Sequence, residues 1–210
     1  MKTRLYTILC FLLFACGAFA QQKKPLATAR YEGYVTKLEK GITAIDYTDL
    51  RHSFLESEYY DSFSSDCFHL KKKLKEAADA KKYTDAIAIA QEMLDIDYTN
   101  LYAHKYLQVA YKALGKTTSA KTQQAILSGL QNSILKSGDG KTCETGWHVI
   151  QDEEINFILD MLGATEVKRA TVNVGKRYCD KKEVTQGGKA GTYFFEINKQ
   201  IEAMGDISKD

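Results

Sequence analysis

A few stretches of this chain carry residue types that can do chemistry. Cys143 and His148 stand five residues apart, and Asp180 follows Cys179. A thiol becomes a nucleophile when an imidazole takes its proton and a carboxylate orients that imidazole. Cys143 and His148 are therefore candidates for a cryptic hydrolase. Asp152-Glu153-Glu154 offers a second pair, Glu153 and Glu154, as an acid and a base. The same run also suits the first turn of a helix, where the dipole favours carboxylates. Gly138-Asp139-Gly140-Lys141-Thr142 has the ending of a phosphate-binding loop, but Leu135 stands where its first glycine belongs and a helix precedes it. It reads as a structural turn, and Asp139 lacks the acidic neighbours of a calcium loop. His52, His69 and His104 have no mate one helical turn away, and paired short ligand spacings are missing, so no metal and no cofactor is expected. Tyr31, Tyr34, Tyr47, Tyr59 and Tyr60 are either core with hydroxyl handles or the stacking platform of a carbohydrate-binding module.

The elements that must position these residues begin after a targeting segment. Lys2 and Arg4 precede an apolar run from Leu5 to Phe14, and Ala18-Phe19-Ala20 offers a small-residue cleavage site. The run is shorter than the ~20 residues a membrane span needs. Residues 1–20 read as a signal peptide, giving an exported protein that is periplasmic or secreted. Cys16 is a lipid-anchor alternative, disfavoured by the bulk of Phe14. The remainder holds 27 basic and 27 acidic residues, a balance that argues against nucleic acid as the main partner. Three cysteines remain. Cys67, beside Phe68 and Leu70, reads as a small core residue, which leaves Cys143 and Cys179 as the candidate bridge; an odd count fits unpaired thiols equally well.

Residues 21–30 form a polar, flexible lead-in. Tyr31, Tyr34, Val35, Leu38 and Ile42 then follow helical spacing, and Asp46 is a plausible N-cap for a helix through Ser57 with Leu50 and Phe54 facing inward. Ala86, Ala90 and Leu94 form one apolar stripe, and Ala103, Leu107, Ala110, Tyr111 and Leu114 a second, stopped by Gly115. Blocks starting at Cys67 and Leu101 align without a gap over thirty-four residues, with Tyr83, Ala86, Ile87, Ala90 and Leu94 in the first and Ala103, Leu107, Ala110, Gly115 and Ala120 in the second. This resembles two tetratricopeptide repeats, with Tyr98 in the place of the usual proline.

After the break at Ser137 to Gly140 the pattern becomes strand-like. Trp147 to Ile150 reads as a short strand, and Glu166 to Val174, Arg177 to Val184 and Thr192 to Asn198 as longer ones. Gly175 turns the first of these into the second, and Gln186 to Gly191 is the next hairpin loop. Glu153 to Leu162 suits a helix or a strand. Tyr47-Thr48-Asp49-Leu50-Arg51, Ala103-His104, Ser133 to Gly140, His148-Val149-Ile150, Asp152-Glu153-Glu154 and Tyr193-Phe194-Phe195 stand in one order along the chain. That order resembles a bacterial exported family of uncharacterised proteins, domain of unknown function forty-nine nineteen. The resemblance implies a helical half followed by a small sheet, and implies no activity.

The fold expected is therefore α+β, with a helical-repeat half over residues 31–136 and a small, mainly antiparallel sheet within residues 137–210 packed on it. The repeat resemblance implies a concave face built by Phe68, Lys71, Lys75, Ala78 and Asp79 of the first block and Tyr102, Lys105, Val109, Lys112 and Ala113 of the second. Four lysines on apolar footing make that face a candidate clamp for a protein partner or an acidic peptide.

Overall fold

The computed structural model describes residues 24–61, 66–203 and 205. Residues 1–20, where a signal peptide and its cleavage site are expected, lie outside the described residues, Cys16 among them. Helix α1 spans residues 24–39 and so begins inside the segment expected to be a flexible lead-in. Pro25 sits in its first turn, where a missing N–H and a fixed φ cost the helix nothing. Ala27, Tyr31 and Leu38 are buried along one side of α1.

Helix α2 (Tyr47–Leu55) starts at Asp46, whose side chain accepts the Asp49 N–H at 3.0 Å. Helices α3 (Glu58–Asp61), α4 (Asp66–Asp79), α5 (Tyr83–Ile96), α6 (Leu101–Ala113) and α7 (Thr117–Leu135) follow. From α4 to α7 each helix packs on the next, and α4 also touches α6. One turn closes both α4 and α6. Lys81 and Gly115, thirty-four residues apart, are left-handed at φ 57° and 73°. Lys82 N donates to Ala77 O at 2.9 Å, and Lys116 N to Tyr111 O at 2.8 Å, in matching positions. Glycine takes this conformation without strain, whereas Lys81 holds it against the clash of its Cβ with the backbone. Small residues let the helices approach: Ala86, Ala90, Ala103 and Ala110 are all buried.

Strand β1 (Trp147–His148) leads into helix α8 (Asp152–Leu162), which ends at Gly163 with φ 64°. The stretch that suited helix or strand is therefore helical. Its acidic first turn, its left-handed cap and burial of Ile155, Ile158 and Leu159 on one stripe decide the outcome. Strands β2 (Ala164–Val174), β3 (Arg177–Gln186) and β4 (Lys189–Glu196) and helix α9 (Asn198–Ala203) complete the order. The sheet runs β1-β4-β3-β2, antiparallel except that β1 is parallel to β4. The hairpin expected to loop over Gln186 to Gly191 is tighter, because Gly187 and Gly188 both adopt positive φ and let Gln186 pair with Lys189.

Buried polar contacts tie the helical layer to the C-terminal region. Tyr31 Oη accepts the Tyr98 N–H at 2.8 Å, joining α1 to the α5–α6 loop. Asp97 in that loop accepts from Thr99 N and Oγ1 on one oxygen and from Gln151 Nε2 on the other. Cys143 and Cys179 form a disulfide with Cα atoms 5.7 Å apart, fixing the loop before β1 to β3.

Candidate functional site

The residues expected to form a basic face fall on α4 and α6, and part of that face is covered from within the chain. Helix α8 meets α6 there. Lys71 Nζ lies 3.8 Å from the centre of the Tyr102 ring and 2.9 Å from Glu153 Oε2. Tyr102 meets Phe157 edge-on at 5.0 Å and its hydroxyl donates to Asp160 Oδ2 at 2.5 Å. Burial, with that carboxylate beside it, pushes the Tyr102 hydroxyl pKa up, so it stays a proton donor across the physiological range. Lys105 Nζ stands 5.7 Å from the Phe157 ring. Lys75, Lys105 and Lys112 are exposed, Val109 beside them is 46% exposed, and Lys75 pairs with Asp79 one turn on. Phe68 lies on α4, and its side chain is outside the described residues.

The hydrolase candidates do not assemble. The sulfur of Cys143 is bonded to Cys179 and has no thiolate to offer. His148 Nε2 sits 3.2 Å from Glu196 Oε2, on the strand-paired edge of β1. Glu153 is held by Lys71, and Glu154 is spent in a buried pair with Arg51. That pair is bidentate, with both contacts at 2.6 Å, and both side chains are almost wholly buried. Its spare hydrogen bonds are met: Arg51 also donates to His148 O and Ser133 Oγ, and Glu154 Oε2 accepts the Ile150 N–H. A pair so completely satisfied offsets its own desolvation, and loss of either member strands a buried charge. Arg51 escaped sequence reasoning as a site residue. The available signal was its place beside Leu50 on the inward side of α2, where a charge demands a partner.

The Gly138 to Thr142 turn is structural. Asp139 accepts from Lys141 N and Thr145 Oγ1, the latter bond chiefly holding its carboxyl below the ordinary range. A Cβ on Gly140 would come within 2.6 Å of the Trp147 ring. His104 is fully buried between Tyr98 O and Gln123, and burial lowers its pKa. The tyrosines divide. Tyr31 is core, stacked between Phe54 and Tyr59, and Tyr34 and Tyr59 donate to Asp49 and Glu32. Tyr31 and Tyr59 line a cleft of about 370 Å³ together with Tyr98 and Glu39. Tyr47 instead lines a cleft of about 540 Å³ with Thr48, His52, Asn132, Lys136 and His148, and Arg51 reaches the same cleft. Three of the stretches that carry the family resemblance, those at Tyr47 to Arg51, Ser133 to Gly140 and His148 to Ile150, meet around it.

Helical layer, mixed sheet and buried ionic tie together define an α+β protein with a helical N-terminal half. The chain belongs to the family described as Domain of unknown function (DUF4919), whose profile matches residues 30–205. No curated protein and no solved structure matches it. Among the described residues no helix is long and apolar enough to cross a membrane, and no cluster of three or more His, Cys, Asp or Glu side chains is arranged to hold a metal ion.

Proposed function

We propose that this is an exported, non-catalytic interaction module that takes an acidic protein segment on the basic face of α4 and α6. One observation carries the reading: the chain's own α8 seats Glu153, Phe157 and Asp160 against Lys71 and Tyr102. The chemistry that suits this face is therefore an acidic segment with an aromatic anchor; Lys105 stands over Phe157 at the border of α8, and Lys75, Val109 and Lys112 continue the exposed face from there. The tetratricopeptide likeness of the two blocks favours the same use. Export is supported by the Cys143–Cys179 disulfide, a bond that persists in oxidising compartments, and by the signal-like residues 1–20. Each exposed lysine contact contributes only ~0.2–1 kcal/mol, so capture needs several acting together.

The test uses mature protein as bait in envelope extract, beside Lys105→Glu/Lys112→Glu. The reading expects partners held by the wild type to be lost from the variant while the melting temperature stays within about 2 °C, as for exposed substitutions. Equal capture by both proteins refutes it.

A further inference from the structure

A second site lies on the other side of the Arg51–Glu154 tie, in the cleft between α2, α7 and β1. Its walls carry exposed polar side chains that the chain itself does not engage. The side chains of Thr48, Asn132 and Lys136 make no hydrogen bond or ion pair among the described residues, and the His52 imidazole makes no hydrogen bond. By contrast Ser133 and Ser137, on the same wall, are each both donor and acceptor already: Ser133 to Leu130 O and from Arg51, Ser137 to Ile134 O and from His148 N. The cleft thus has a fixed polar frame and a separate set of side chains facing an available ligand.

Charge selects the ligand class. Arg51 is neutralised by Glu154, His148 faces Glu196, and Lys136 shares the lining with Asp46. Burial, then the adjacent Arg51 charge, lowers the His52 pKa, so its ring is neutral near pH 7 and presents one donor and one acceptor. A site built for an anion would show a surplus of cations. This one offers balanced charge with mixed donors and acceptors, as a chain of hydroxyls requires. It also offers a ring. Tyr47 is pinned at both ends, its hydroxyl donating to Thr43 O at 2.9 Å and its ring so close to α7 that a Cβ on Gly129 would come within 2.2 Å. A fixed aromatic ring beside idle polar groups is the arrangement that holds the apolar face and the hydroxyls of a sugar. The volume, about 540 Å³, matches one or two sugar rings.

We infer that the cleft lined by Tyr47, Thr48, His52, Asn132 and Lys136 binds a neutral saccharide. This site is separate from the basic face of α4 and α6.

The experiment is saturation-transfer NMR on the mature protein with a panel of glucose, mannose, N-acetylglucosamine, xylose and their disaccharides, with inorganic phosphate as the anionic control followed by calorimetry. Calorimetry then gives affinities for any sugar that responds. The expected result is binding of at least one sugar, weakened about tenfold in Asn132→Ala and in Thr48→Ala, as the loss of a ligand hydrogen bond implies. Both positions are exposed, so the fold is retained. Lys105→Glu/Lys112→Glu should leave sugar binding unchanged, which separates this site from the peptide face. Three outcomes overturn the inference: no transfer to any sugar, binding of phosphate instead, or sugar binding that survives both cleft variants.

Discussion

Asp97 gives the sharpest prediction, because its burial makes ionisation costly. It is fully buried in the α5–α6 loop, and burial pushes its pKa from 3.8 up to about 6 despite bonds from Thr99 and Gln151. The folded state therefore binds the proton more tightly than the unfolded chain. Stability contributed by this group is present below pH 3.8 and is lost as pH rises to about 6, with a plateau above. A shift from 3.8 to about 6 corresponds to roughly 3 kcal/mol. Asp97→Asn removes the titration and keeps an acceptor for Thr99. It also supplies an N–H to Gln151 Oε1, which is buried without a hydrogen-bond partner, once that amide turns over. Urea unfolding of both proteins from pH 4 to pH 8, disulfide intact, isolates the effect as a difference. Relative to wild type the variant should gain roughly 2.5 kcal/mol between pH 4 and pH 7, the rest of the shift lying below pH 4. A difference that is flat with pH, or that runs the other way, refutes the argument.

Arg51→Met should destabilise the protein by ~3–5 kcal/mol by leaving Glu154 buried and unpaired, and adding Glu154→Leu should recover much of the loss, as a double-mutant cycle in urea reads directly. Lys81→Gly should raise stability by roughly 0.5–1 kcal/mol, since the residue already holds a left-handed backbone; thermal unfolding shows it as a small rise in melting temperature. Replacing Cys143 and Cys179 together by Ser should cost about 3–4 kcal/mol for a loop of this length. Non-reducing peptide mapping of the wild type should find the two cysteines in one linked peptide pair.

Local features were legible in the sequence wherever one residue decides a local shape. Asp46 marks a helix start by its side chain, Gly115 a helix stop by its φ, and Gly175 and the Gly187-Gly188 pair the two hairpins. Spacing likewise revealed the inward faces of α5 and α6, because burial follows the helical period. The start of α1 was hidden by a polar stretch in which only Ala27 is buried before Tyr31. The outcome of Glu153 to Leu162 was hidden because its apolar residues satisfy both periods, and burial of Ile155, Ile158 and Leu159 on one stripe with the left-handed cap at Gly163 separates them. The covering of Lys71 by Glu153 and the pairing of Arg51 with Glu154 join residues 82 and 103 positions apart. No local pattern encodes such contacts. The cleft was invisible for the same reason: α2, α7 and β1 each contribute a part that looks ordinary alone.

The proposed function requires the exposed part of the basic face on α4 and α6 to capture an acidic segment with an aromatic anchor. Its most direct test is fluorescence anisotropy with a labelled helical peptide carrying Glu, Phe and Asp in the spacing of Glu153, Phe157 and Asp160. The measurement is run on wild type and on Lys105→Glu/Lys112→Glu at low and high salt. Saturable binding by the wild type is expected, weaker at high salt and lost in the variant. Wild-type anisotropy that never rises, or identical curves for the two proteins, would contradict it.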